Sequence, residues 1–454
     1  MGREVTMVMD QKVGEKYLWN AVRRYDPSAA PMVANEGKGA WFTDTDGNSY
    51  LDGVSGLWCL NVGHGQEEIV EAAAEQMRTL AYFPLTNSHK PAVNLSQKID
   101  ELLGTDETYR TFFANSGSEA NETAFKIARQ YHVQTGNPGK YKFISRYRAY
   151  HGSTLGALSA TAQANRRFKY DPGAVGFLHV HPPYSYRSIF DMHDKEAADL
   201  KAADLLEEMI NWEGEESVAA FIMEPVISGG GVIIPSFKYM QRVQEICKKY
   251  NVLLIADEVV SGFGRTGKMF GFQHSEGVVP DMVTMAKGIT SGYLPLGATA
   301  VRSEIADVFR EPGEDNHFRH VSTFGGHPAA CAVALKNLEI IERDQLVDRV
   351  EHLGNKILDD LKKCESHPNV GEVRRIGFLA GFEMVKDKET KEPLSGEEIG
   401  KVMGYCKDQG LIIGKNGDTV PGQNNVLIVA PPFITSEEDL HFIVKTITDA
   451  MNQL

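Results

Sequence analysis

The sequence predicts an α/β fold in which a mainly parallel sheet covered by helices is joined to a smaller α+β unit. Three observations predict it. Short runs recur at residues 109–114, 141–145, 218–223, 252–256, 282–286 and 297–301, most of them continuously apolar, as expected of strands buried on both faces. Helical patterns separate these runs, which is the spacing of strand–helix–strand units. The chain has 454 residues, 42% of them hydrophobic and 24% charged, so it has the length for two domains and the composition of a folded protein.

The elements follow in order. Residues 1–65 read as an N-terminal, β-rich segment, in which 40–42 and 49–52 flank the turn pair Asp46-Gly47. From Gln66 the period changes: Ile69, Ala73, Met77 and Leu80 share one helical face, and Pro91 opens a second helix carrying Ala92, Leu95, Ile99 and Leu102. The large domain is expected to span 66–327. A long amphipathic stretch, 328–364, then leads into a C-terminal small domain, 328–454. That domain offers a strand at 378–385, a helix opened by the capping box Ser395…Glu398, strands at 411–414 and 426–430, and a last helix opened by Thr435…Glu438. No internal repeat or low-complexity linker interrupts the chain, so the domains are expected to pack tightly.

Charge and composition exclude several partners. With 61 acids against 47 bases the net charge is -14, the wrong sign for tracking phosphates, so no nucleic acid is expected. Apolar stretches such as 217–225 fall well short of the roughly 20 residues a membrane helix needs. The five cysteines, at 59, 247, 331, 364 and 406, are widely spaced, which argues against a disulfide framework and for a reducing cytoplasm. Gly2 and Thr6 match a short acylation pattern that lacks a second membrane signal. His179 and His181 have no visible third ligand, so no metal is assigned.

Two glycine-rich patterns overlap at Gly262–Gly267, GFGRTG, and neither suits a nucleotide. Met269 stands where a phosphate loop needs Ser or Thr, and the run LLIADE precedes the loop, so tight turns are the simpler reading. The segment FFANSGSEANETAFKIARQYH is more informative. A strand ends at Ala114, and a small polar loop carrying Ser116, Gly117 and Ser118 opens a helix, which makes an anion cradle. Asp257 closes one apolar run and Lys287 follows another, so both side chains should emerge at strand ends, where open α/β sheets place ligands. A buried acid there needs a cationic partner, and a partly desolvated lysine can form an imine with a carbonyl.

An anion cradle, a buried acid and an imine-forming lysine at one sheet edge are the three parts that pyridoxal 5'-phosphate needs. The phosphate docks in the cradle, the aldehyde meets the lysine, and the acid keeps the ring nitrogen protonated. Tyr150 and His151 offer an aromatic face for the ring.

Together GAWFTDTDGNSYLD, NSGSEANETAFKIAR, YHG, MEP at 223–225, LLIADEVVSGFGRTGKMF, PDMVTMAKG, PLGA and STFGGHPAAC resemble class III aminotransferases among the fold-type I pyridoxal-phosphate enzymes. The likeness runs nearly end to end and is strongest to the ω-amino acid–pyruvate group, close to taurine–pyruvate aminotransferases and bacterial ω-transaminases. The resemblance implies a small domain built from both termini and a ping-pong transfer from an ω-amino acid or primary amine to pyruvate. It implies that Lys287 carries the cofactor, Asp257 pairs with the ring nitrogen, Val259 packs beneath the ring and Tyr150 covers its other face. Ser116, Gly117 and Ser118 would hold the phosphate with Thr323 of a second subunit, so the active unit would be a homodimer, alone or paired into a tetramer. Glu224 would stand near the ring hydroxyl, and Trp58 and Phe83 would line the substrate pocket.

One departure matters. After Arg375 the sequence has no arginine with which a C-terminal domain could bind a substrate carboxylate, which leaves Lys415 or Arg148 for that task. An aminomutase or a diamine or amino-oxononanoate type of aminotransferase on the same framework is the alternative enzyme reading. A phosphoryl-transferring ATPase and a non-catalytic vitamin-binding protein complete the set.

Overall fold

The computed structural model describes residues 17–22, 25–26, 31–190, 192–417 and 419–454. The acylation pattern at Gly2 and Thr6 lies outside them. Three strands open the described chain: β1 (Ala34–Lys38), β2 (Trp41–Asp44) and β3 (Ser49–Asp52). The turn pair forms as expected, because Gly47 takes a φ of +86° and the Asp44 carboxylate accepts the backbone N–H groups of Asp46 and Asn48 at 3.0 and 2.9 Å. β1 is exposed along its length and carries no apolar pattern, so the sequence does not reveal it.

The central sheet is built from β4 (Tyr109–Ala114), β5 (Lys142–Arg146), β6 (Phe177–Val180), β7 (Val218–Met223), β8 (Leu253–Asp257), β9 (Met282–Met285) and β10 (Gly297–Arg302). Their order across the sheet is β4-β10-β9-β8-β7-β5-β6. Every residue of β7, β8 and β9 is buried, which explains why these strands read as unbroken apolar runs. β5 to β9 run parallel, whereas β10 is antiparallel to both β4 and β9. The short link from β9 to β10 explains the reversal, since a parallel crossover needs a dozen or more residues and a covering helix. β6 is a short edge strand without a strong apolar signature.

The C-terminal part contributes β11 (Val370–Ile376), β12 (Leu379–Asp387), β13 (Glu392–Pro393), β14 (Leu411–Ile412), β15 (Gly414–Lys415) and β16 (Val426–Val429). The single strand expected at 411–414 serves two sheets. β14 pairs in parallel with β3 and completes the N-terminal sheet, while β15 pairs with β16 in the sheet β11-β12-β16-β15. β11 was not expected, because VGEVRRI mixes charges into its apolar positions.

The helices follow the capping chemistry with small differences. The first, Glu67–Thr79, and the second, Lys90–Leu103, pack against Pro328–Arg343. The second buries Leu103 in place of the expected Leu102. The stretch 328–364 breaks at Gln345, whose φ of +51° ends helical continuity, into Pro328–Arg343, Leu346–Lys356 and a 3-10 segment. Ser395 and Glu398 form their reciprocal box. The last helix is capped by Ser436, which accepts from the Asp439 N–H at 3.0 Å, and the expected cap Thr435 instead donates its hydroxyl to the Pro432 carbonyl at 2.7 Å. Among the described residues no helix is long and apolar enough to cross a membrane.

Candidate active site

Because β7, β8 and β9 run parallel, their C-terminal ends reach one edge of the sheet, and the residues there are Glu224, Asp257 and Lys287. All three line a cavity of about 390 Å³. Asp257 is 2% exposed. Its Oδ2 accepts from His151 Nδ1 at 2.7 Å and from Asn121 Nδ2 at 2.8 Å, and its Oδ1 accepts from the Val259 N–H at 3.1 Å. A carboxylate only accepts, so His151 carries its proton on Nδ1. The remaining polar atoms, His151 Nε2 and Asn121 Oδ1, are buried with no hydrogen-bond partner among the described residues.

Lys287 opens a tight turn just after β9 with a φ of +49°, a strained conformation for a side chain with a Cβ. Its Nζ stands 5.3 Å from the centroid of the Trp58 ring. Burial pushes its pKa below the ordinary lysine range, opposed by the charges of Asp257 and Glu224. The Glu224 carboxyl is shifted the other way, upward, also by burial. It accepts the N–H groups of Tyr150 and Ser228 at 3.0 and 3.1 Å.

The cradle lies at the start of the helix Gly117–Gln134, whose first N–H groups have no partner within the helix. Ser116 caps it by accepting the Glu119 N–H at 3.2 Å. A Cβ at Gly117 would stand 2.9 Å from both methyl groups of Val259, so the glycine lets the helix start lie against that valine. Ser116, Gly117, Ser118, Tyr150, His151 and Val259 all line the cavity.

His151 bonds Asp257 through its ring edge and so positions the acid, and it lines the cavity together with Tyr150. Within the chain, the side-chain partners of the buried acid are an imidazole and an amide. Asn121 was missed. The available signal was an asparagine among Ala120, Ala124 and Phe125 on the buried face of that helix.

Trp58 lines the cavity, whereas Phe83 and Thr323 are exposed side chains outside its lining, and the Thr323 carbonyl accepts from the Tyr82 hydroxyl at 2.8 Å. The two cations expected to replace the missing arginine do not reach the cavity. Lys415 is exposed on β15. Arg148 turns away with a φ of +69°, is buried over the Tyr184 ring at 4.9 Å and lines a separate cavity. The cation beside Tyr150 is Arg166, whose guanidinium carbon lies 5.7 Å from the Tyr150 ring centroid, although Arg166 too stands outside the lining of the cavity. Sequence reading passed it over because nothing in QANRR marks one arginine as special.

The glycine-rich loop is a crosslink. Arg265 is fully buried and donates to the Pro431 carbonyl at 2.6 Å, to Asn61 Oδ1 at 2.8 Å and to Ser55 Oγ at 3.1 Å, and burial pushes its pKa down to about 9. Glu258 accepts from the Ser261 hydroxyl and from the N–H groups of Gly271 and Phe272, and burial pushes its carboxyl up to about 7.

A buried acid held by hydrogen-bond donors, orphaned polar atoms beside it, a shifted lysine and a helix start around one cavity suit pyridoxal phosphate. Known proteins agree. The chain matches the aminotransferase class-III family over residues 23–451. It is 54% identical over 440 residues to an uncharacterised aminotransferase, YhxA, of Bacillus subtilis, covering 97% of this chain and 96% of the relative. It is 42% identical over 443 residues to a taurine–pyruvate aminotransferase of Bilophila wadsworthia, covering 96% and 95%. A crystal structure of an amine transaminase from an uncultivated Pseudomonas species, in its pyridoxal-phosphate-bound form, superposes with a TM-score of 0.91 at 33% identity, covering 96% of this chain and 98% of that one. The chain belongs to the class III aminotransferases, enzymes of fold-type I that depend on pyridoxal phosphate.

Proposed function

We propose that this aminotransferase moves an amino group from an ω-amino acid or primary amine, such as taurine or β-alanine, to pyruvate by a ping-pong mechanism. The observation that carries the reading is Lys287, a buried amine with a lowered pKa that shares one cavity with Asp257. The relative named for taurine and pyruvate supports the donor and acceptor classes. When bound, the cofactor supplies an electron sink for the amine-bearing carbon of the substrate.

The rest of the chemistry belongs to the chain. Lys287 would hold the cofactor, and once freed its Nζ would carry a proton between the amine-bearing carbon of the substrate and the cofactor carbon, in one direction in the first half and in the other on the return. Burial raises the share of neutral Nζ able to do so. Asp257, fixed by His151 and Asn121, holds a positive charge on the ring nitrogen. The helix start at Ser116, Gly117 and Ser118, with Thr323 of a second subunit, binds the phosphate. Val259 and Tyr150 would press the two ring faces, Glu224 would stand by the ring hydroxyl, and Trp58, joined by Phe83, would exclude water. Arg166 meets the carboxylate or sulfonate.

A homodimer is part of this reading. Tyr82, Phe83, Val321 and Phe324 are apolar and 40% or more exposed, and the Tyr82 and Phe324 rings lie 6.1 Å apart, so a patch of apolar surface surrounds Thr323. The five unpaired cysteines suit the cytoplasm.

The test is Lys287→Ala. Turnover with pyruvate is expected to vanish, and borohydride trapping followed by mass spectrometry should find the cofactor on Lys287 only in the parent protein. A cofactor trapped on another lysine, or ordinary activity in the variant, overturns the reading. A screen of taurine, β-alanine, 4-aminobutyrate and 1-phenylethylamine, with and without pyruvate, identifies the donor and separates transfer from an aminomutase.

A further inference from the structure

A second cavity, of about 440 Å³, shares no lining residue with the first. It is the cavity into which Arg148 turns. Arg148 is 6% exposed, and its partners are all neutral: the Gly230 carbonyl at 3.3 Å, the side-chain carbonyl of Gln423 and the Tyr184 ring. Beside it Arg187 donates from Nε to Glu383 at 2.8 Å, which leaves its Nη2 buried and without a partner among the described residues.

The buried carboxylate nearest these arginines among the described residues, Glu383, is already taken. Glu383 accepts from Arg187, from Arg374 at 3.0 Å and from the Tyr184 hydroxyl, and Arg374 stacks on the same Tyr184 ring at 5.0 Å. Arg148 is thus a buried cation with no carboxylate bound to it among the described residues, a costly arrangement unless an anion completes it. Another wall of the cavity carries Asp199. Its Oδ2 takes Lys195 at 2.7 Å and the Ser236 N–H at 2.6 Å, while its Oδ1 is buried and unpartnered. Apolar side chains, among them Pro182, Ile189, Ala202 and Val420, form the remaining lining.

We propose that this second cavity binds a small organic anion, a carboxylate or sulfonate with a hydrogen-bond donor at its far end. Its anionic group meets the guanidiniums of Arg148 and Arg187, whose planar forks suit such oxygens, and its donor meets Asp199 Oδ1. The volume suits a small molecule. The occupant also touches Gln423 and Val420, and it braces the turn that leads from Arg148 to Tyr150. This site is independent of the donor proposed above.

The test is calorimetric titration of the holoenzyme with 2-hydroxyethanesulfonate, which has no amine to transfer. Saturable binding is expected, separate from any occupancy of the first cavity and weakened at least tenfold in Arg148→Gln and in Val420→Trp, which plugs the cavity from its loop. Trp58→Ala, which alters only the first cavity, should leave the affinity within twofold. If Arg148→Gln fails to fold, Val420→Trp decides. Absent saturable binding, retained affinity in Val420→Trp, or a tenfold loss in Trp58→Ala overturns the assignment.

Discussion

Asp257 illustrates how little freedom a buried charge has. A carboxylate 2% exposed and unpaired would cost several kcal/mol or become neutral, and here three donors, from His151, Asn121 and the Val259 backbone, hold it. An arginine partner would have spent that charge internally. The same logic isolates Arg166, stacked on Tyr150 at 5.7 Å with its Nε buried and unpartnered. If Arg166 anchors the acidic end of the donor, Arg166→Leu should raise the KM for taurine and β-alanine at least tenfold, a loss in the range of a charged hydrogen bond, and leave that for 1-phenylethylamine nearly unchanged. Steady-state kinetics with the three donors check it. His179 carries a different prediction. Burial, helped by the nearby Arg167 cation, lowers its pKa from 6.5 to about 4, while Ser145 and Arg167 bond its two ring nitrogens at 2.8 and 3.2 Å. Between those values the unfolded chain takes up a proton that the folded protein refuses, so stability falls as pH drops through this window. Relative to His179→Asn, the parent protein should lose about 2 kcal/mol more between pH 7 and pH 5 in urea unfolding.

At the level of elements, the cradle depends on how closely β10 approaches the start of the helix Gly117–Gln134. β10 begins at Gly297, paired with Ala114, and a Cβ at that glycine would stand 2.3 Å from the Ser116 carbonyl oxygen. That neighbour is backbone, so the turn itself must move. Gly297→Ala should therefore weaken cofactor binding at least tenfold, in keeping with overpacking costs of about 1–3 kcal/mol, while the far-ultraviolet circular dichroism stays that of the parent. Cofactor titration of the apoprotein measures it. The reversal of β10 is what delivers Gly297 to this place, and the short link that enforces the reversal also carries Lys287. One connection thus sets both the lysine and the floor of the cradle.

For the whole molecule, the exposed apolar patch around Thr323 argues for a second chain. Phe324 is 61% exposed and Val321 68%, an expensive surface to leave in water. If the proposed homodimer forms through this patch, Phe324→Asp should convert a particle of two chains into one in sedimentation experiments and lower activity more than tenfold, because Thr323 would then no longer reach the neighbouring cradle. An undiminished dimer would place the interface elsewhere.

What the sequence determined by itself was the chemistry at strand ends: apolar runs that stop at Asp257 and just before Lys287, and a polar turn at Ser116–Ser118 that opens a helix. These are local facts, since strand burial and helix starts are written in neighbouring residues. The tertiary structure decided which of those ends meet and which side chains turn away. Arg148, two residues from Tyr150, faces another cavity because one positive φ redirects it. Asn121 and His151 reach Asp257 from distant segments. The stretch 411–414 divides between two sheets because Leu411 and Ile412 find β3 while Gly414 and Lys415 find β16. Contacts between segments far apart in the chain depend on the path of the backbone in space, and no pattern of adjacent residues contains that path.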